Sequence, residues 1–116
     1  MEESLSEFLD TLREADDGET CFVVEGKRDA EALDRLHVQD VREVDTNLYL
    51  FSERLAEDYG KAAILTDLDK EGKKLYGKLR GYLARLGVRL NDAPRDALWQ
   101  TGLRQVEGLS GYIARH

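Results

Sequence analysis

The chain has 116 residues, 41% of them hydrophobic and 35% charged, with a formal net charge of −7. That length suits a single domain over residues 1–116. No apolar run could span a bilayer and the acidic N-terminus lacks a signal-peptide pattern, so a cytoplasmic protein without a membrane partner is expected. The acidic balance speaks against blanket adhesion to polyanions, and the lone cysteine, Cys21, excludes an internal disulfide and a multi-cysteine zinc cluster.

In chain order, Leu5, Phe8, Leu9 and Leu12 follow the i, i+3, i+4, i+7 spacing of an amphipathic helix. "EADDGET", with Gly18, is a polar stop. "CFVVE" reads as a short continuous apolar strand, the kind covered on both faces of a parallel sheet, and Cys21 is a small buried residue within it. Ala30, Leu33 and Leu36 mark one face of a second helix, and "VREV" is a weak second strand. A helix around 50–59 carries Leu50, Leu55 and Ala56 as core positions and stops at Gly60. "AAILT" is a third strand. In the long helix that follows, Leu75, Leu79, Leu83 and Leu86 form the apolar stripe before Gly87. "VRL" is a fourth strand, and Pro94 precedes a final helical region running to His116. Strands alternating with helices predict an α/β sandwich with a mostly parallel sheet of about four strands, its core at about residues 20–90.

The informative feature is where the acids fall. In open α/β sheets, functional groups collect at the carboxyl ends of the strands. Glu25 closes the first strand, Asp67 closes the third, and Asp69 follows two residues on. Residues two apart in extended backbone share a side, so the two aspartates could face one ligand, with Glu25 opposite them if the first and third strands are neighbours. Ionised carboxylates gathered together repel, and a divalent cation is the usual compensation. Mg²⁺ takes hard oxygen ligands and keeps positions for water and phosphate, which suits phosphoryl chemistry. Gly26 and Gly72 follow acids at strand-to-helix turns, where a small residue allows a tight bend and close ligand approach. Helix N-capping is the plain alternative for Asp69 or Asp29 taken singly.

"VVEGKRDAEAL" followed by "ILTDLDKEGKKL" resembles the topoisomerase–primase (Toprim) domain family, whose pattern is Glu-Gly after the first strand and DxD with a downstream glycine after the third. The likeness spans roughly residues 20–90. It implies a Toprim-like, Rossmann-like fold. Glu25 would be the general acid or base and a metal ligand, with Asp67 and Asp69 holding Mg²⁺ (Mn²⁺ as a substitute). Gly26 and Gly72 would be the turn glycines, with Glu71 the acid before the second. It also implies RNA or DNA as the partner, and among the branches the nucleases and ribosomal-RNA-maturing ribonucleases demand the fewest extra domains. A complete topoisomerase or primase is not expected. A binding or assembly module that uses the fold without turnover is the alternative, and whether a protein partner or a second copy completes the site stays open. "TDLDKEG" also has the outline of the aspartyl loop of haloacid-dehalogenase-like phosphatases, but Glu71 stands where that loop has Thr or Val.

Around this centre, Lys27 and Asp29 could touch a phosphate, although an acid in a first helical turn also favours the helix dipole. Lys70, Lys74, Lys78 and Arg85 lie on roughly one side of the long helix and could form a phosphate track or simply a solvated face. Trp99 and Tyr112, near Arg95, Arg104 and Arg115, could stack bases, although aromatics at such spacing are more often core. His37 and His116 are isolated.

Overall fold

A computed structural model describes residues 2–108. Tyr112, Arg115 and His116 lie outside the described residues. Five helices and four strands alternate: α1 (Glu2–Ala15), β1 (Thr20–Val24), α2 (Lys27–Arg35), β2 (Val41–Glu43), α3 (Leu48–Asp58), β3 (Lys61–Ile64), α4 (Lys70–Arg85), β4 (Arg89–Leu90) and α5 (Ala93–Gln100), then a 3₁₀ turn at Val106–Gly108. The sheet is wholly parallel in the order β2-β1-β3-β4. This is the α/β sandwich expected from the sequence.

The apolar runs follow from burial on two faces. Every residue of β1 is buried, and its side chains alternate between two cores. Phe22 and Val24 join Ala63 and Leu65 against α1, α2 and α5, where Phe8, Leu33 and Leu98 are fully enclosed. Cys21 and Val23 join Ala62 and Ile64 against α3 and α4, where Leu55, Leu79 and Leu83 are enclosed. Each such side chain contributes about 1.5–3 kcal/mol by leaving water, and burial pushes the Cys21 thiol up to about 12.

Two helical readings need correction. In α3 the buried residues are Phe51, Ser52 and Leu55, while Leu50 is 39% exposed. The helix begins earlier than the pattern suggested because Asn47 caps it, its side chain accepting from the Leu50 N–H at 3.0 Å, and Phe51 rather than Leu50 shares the inward face with Leu55. Within the described residues the final helix stops at Gln100, and Gly102, at φ +81°, turns the chain in the left-handed region that suits glycine; residues 109–116 of the expected helical region lie outside them.

The strand order has one functional consequence. From β1 the chain moves outward to β2, then returns to the opposite side of β1 as β3. The carboxyl ends of β1 and β3 therefore lie side by side at the point where the winding reverses, which is where open α/β sheets form their crevice.

Candidate functional site

At that reversal the chain places Glu25, directly after β1, beside the loop Thr66–Asp69 that follows β3. The Asp67 backbone N–H donates to Glu25 Oε1 at 2.9 Å, a bond that fixes the two segments 42 residues apart. The condition set by the sequence, that the first and third strands be neighbours, is met in register: Val23 pairs with Ile64, and the Leu65 N–H donates to the Val23 carbonyl.

The loop after β3 is held from three directions. Leu68 is buried, and its N–H donates to the Arg104 carbonyl at 2.6 Å. Buried Thr66 donates its hydroxyl to the Gly72 carbonyl at 2.8 Å. Arg95, on α5 and only 8% exposed, donates from Nη1 to the Thr66 carbonyl at 2.6 Å and from Nη2 to the Asp67 carbonyl at 3.2 Å. Its guanidinium lies 4.5 Å over the Tyr76 ring, and the Tyr76 hydroxyl donates to Asp92. Arg95 is the residue sequence reasoning misplaced. Grouped there with surface arginines for base stacking, it is instead a buried clamp on the acid loop. An arginine three residues after the helix-starting Asp92 carries no periodic signal for that role.

The acids divide the work. Asp69 caps α4, its Oδ1 accepting from the Gly72 N–H at 2.8 Å, so the capping alternative accounts for one of its oxygens. The Asp67 side chain is different: its Oδ1 is buried and finds no hydrogen-bond partner among the described residues. Unsatisfied buried polar atoms are rare because they cost desolvation without return. Burial raises the Asp67 carboxyl to about 6, and the charges of Glu25, Asp29, Asp69 and Glu107 add to the effect. Glu25 is also raised, first by burial, then by Asp69 and Asp29, with the Asp67 N–H and Arg95 pulling the other way.

The two turn glycines separate sharply. A Cβ on Gly72 would sit 1.9 Å from the Asp67 carbonyl oxygen, so the approach of α4 to the loop requires glycine there, against a helical preference for alanine of about 1 kcal/mol. Gly26 meets nothing within 4 Å and has extended backbone at φ −148°, so no local bend demands glycine.

The remaining candidates scatter. Asp29 is 5% exposed and accepts from the Glu107 N–H at 2.9 Å, tying α2 to the 3₁₀ turn. Lys27 and Lys70 are exposed at the starts of α2 and α4. Lys74 forms a loose exposed pair with Glu71 at 3.9 Å. Lys78 lines a cleft with Tyr49 and Tyr82, two turns along α4 from the loop. His37 is exposed after α2.

Among the described residues, no three His, Cys, Asp or Glu side chains converge in the arrangement a protein-only metal cage requires. What is present is a carboxylate pair, Glu25 and Asp67, in which Asp67 Oδ1 is buried and finds no partner among the described residues. That suits a hard cation held by one or two carboxylates, with water and phosphate completing its shell.

Fold and site together define a parallel α/β protein with a clamped carboxylate pair at its switch point. The chain belongs to the UPF0292 family. It is 34% identical to the UPF0292 protein of Methanosarcina barkeri over 97% of this chain and 82% of that one, and 31% identical to that of Methanocaldococcus jannaschii over 96% and 91%. No protein-family model matches the sequence. Among solved structures, a protein from Aquifex aeolicus superposes with a TM-score of 0.80 at 27% identity, covering 90% of this chain and 96% of that one. The zinc-binding and RNA polymerase domains of Aquifex aeolicus primase superpose at 0.57 and 21% identity, over 97% of this chain and 28% of that one, a likeness of fold. Among the described residues no helix is long and apolar enough to cross a membrane.

Proposed function

We propose that this chain is a Toprim-type, Mg²⁺-dependent phosphoryl-transfer protein that acts on nucleic acid, and specifically a nuclease that hydrolyses phosphodiester bonds. The observation that carries the reading is the buried, unpartnered Asp67 Oδ1 beside a Glu25 anchored on the Asp67 backbone. The Toprim pattern of the sequence and the fold shared with the primase domains support it.

Asp67 would hold the cation with one further carboxylate, Glu25 or Asp69, and water would complete its shell. When bound, Mg²⁺ or Mn²⁺ would neutralise charge developing on the phosphate and orient it. The chain's own residues do the rest. Glu25, its carboxyl raised by burial, is suited to exchange a proton with the attacking water or the leaving oxygen. Arg95 keeps the Asp67 backbone in place through its carbonyl, and the glycine at 72 lets α4 close on the loop. The helix α4 begins at this loop, where N-terminal N–H groups favour an anion.

Incubation of the purified protein with labelled RNAs and DNAs, with and without Mn²⁺, tests this directly. Products should form only with metal and should be lost in Glu25→Gln and Asp67→Asn. Metal-independent products, or an Asp67→Asn chain that cleaves as the wild type does, would refute it. The second reading is a metal-assisted nucleic-acid-binding or assembly module of the same fold, without turnover. Retention of a nucleic acid without products after long incubation would select it.

A further inference from the structure

Beside the acid loop stands an aromatic that the packing does not use. Trp99, on α5, is 46% exposed, and two cations lie over its ring: the Lys73 ammonium at 5.0 Å and the Arg104 guanidinium at 4.9 Å from its centre. Both are bound to the acid loop through backbone. The Lys73 N–H donates to the Asp69 carbonyl, and the Arg104 carbonyl accepts from the Leu68 N–H. In a chain of net charge −7, neither cation pairs with a carboxylate among the described residues.

We infer that Trp99, Lys73 and Arg104 form a stacking platform for single-stranded nucleic acid, which delivers an unpaired segment to the acid loop. The inference rests on the reading that the neighbouring site handles nucleic acid, and not on turnover. An exposed indole gives a base a flat apolar face, and stacking on it tolerates any base. A long, solvated cation over an exposed ring is a weaker contact than a stacked base. An incoming base therefore displaces one cation, which moves onto the strand's phosphate without first being pulled from an acid. A duplex offers no free base face, so the platform selects single strands, frayed ends or loops. The other exposed aromatic among the described residues, Tyr49, meets Tyr82 edge-on at 5.4 Å on the α3–α4 side, where they line a cleft with Lys78.

Trp99 is the only tryptophan, so its fluorescence reports on this ring alone. The wild-type chain is titrated in EDTA with single-stranded DNA and RNA of about twelve nucleotides, within the span such sites cover, and with the matching duplexes. Saturable quenching by single strands, and at least about tenfold weaker binding of duplexes, is expected. With labelled oligonucleotides, Trp99→Ala should bind about tenfold more weakly, and Trp99→Phe, which keeps a ring, should recover most of that loss. Lys73→Ala and Arg104→Ala should each lower the salt slope of binding by about 0.7. Absence of quenching by single strands, equal binding of duplex, or unchanged binding in Trp99→Ala would overturn the inference. Because EDTA removes any metal, quenching without cleavage upholds the platform even if the nuclease reading falls. Cleavage without quenching does the reverse.

Discussion

At the amino-terminal end of β3, Lys61 reaches Asp17 at 3.3 Å and Glu19 at 3.4 Å, beside a cleft of about 430 Å³ lined by Gly18, Tyr59 and Arg89 among others. A few residues past the carboxyl end of the same strand, Asp67 keeps a buried oxygen with no partner and sits among four other acids. Asp17 is pulled down to about 2, chiefly by the Glu19 N–H and in lesser part by Lys61, while Asp67 is raised to about 6. One strand thus ends in charge that folding relieves and in charge that folding crowds. Exposed, paired charges are ordinary surface chemistry of small worth. A carboxylate held unsatisfied by a buried arginine clamp costs stability, and such costs gather where binding or chemistry recovers them.

The largest effects should come from breaking the frame of the crowded end. Gly72→Ala drives a methyl group into the Asp67 carbonyl and should destabilise the fold by about 3 kcal/mol or more, because the contact is backbone and cannot swing aside. Gly26→Ala, with open space above it, should change urea stability by less than about 0.5 kcal/mol. Next comes Arg95→Leu, which leaves the Thr66 and Asp67 carbonyls without their donor. It should cost about 2–3 kcal/mol in chemical denaturation and depress activity with it.

The pH response sharpens the contrast, because the two ends have opposite sign. A carboxylate raised in the native state binds its proton more tightly there than when unfolded. Asp67 therefore subtracts stability as pH rises from about 4 to about 6 and leaves the full penalty above that window. Asp67→Asn should be more stable than wild type at neutral pH by about 1–2 kcal/mol, a value reduced for solvent screening, and the gain should vanish near pH 4. Asp17, depressed, contributes above about pH 4 and loses that contribution as pH falls toward 2. The smallest change is expected from Lys61→Ala at the exposed end, a shift in denaturation midpoint close to measurement error that shrinks with added salt.

How far these ends could be read in the sequence differs as well. The strands announced themselves because a sheet covered on both faces needs continuous apolar runs, as "CFVV" and "AAIL" show. Glu25, Asp67 and Gly72 stood out by position after those runs, and the structure brings Glu25 to the Asp67 backbone as the strand order demands. Asp69 could be read as ligand or cap, and only coordinates show its Oδ1 turned to Gly72. Asp29 could be read as a phosphate contact or a helix-dipole acid, yet it is buried and accepts from the Glu107 N–H, 78 residues away, a contact no local pattern encodes. Arg95 was hidden for the same reason: its partners are backbone carbonyls, which have no sequence signature. Leu50 and Phe51 were exchanged because adjacent apolar residues leave the phase of a short helix undecided.

The most direct test of the crowded end is chemical denaturation of wild type and Asp67→Asn at neutral pH, in EDTA and then in saturating Mn²⁺. Asp67→Asn should be the more stable in EDTA, and Mn²⁺ should stabilise the wild type alone. An equal response of the two chains to the metal, or none from the wild type, would contradict a cation site built on Asp67.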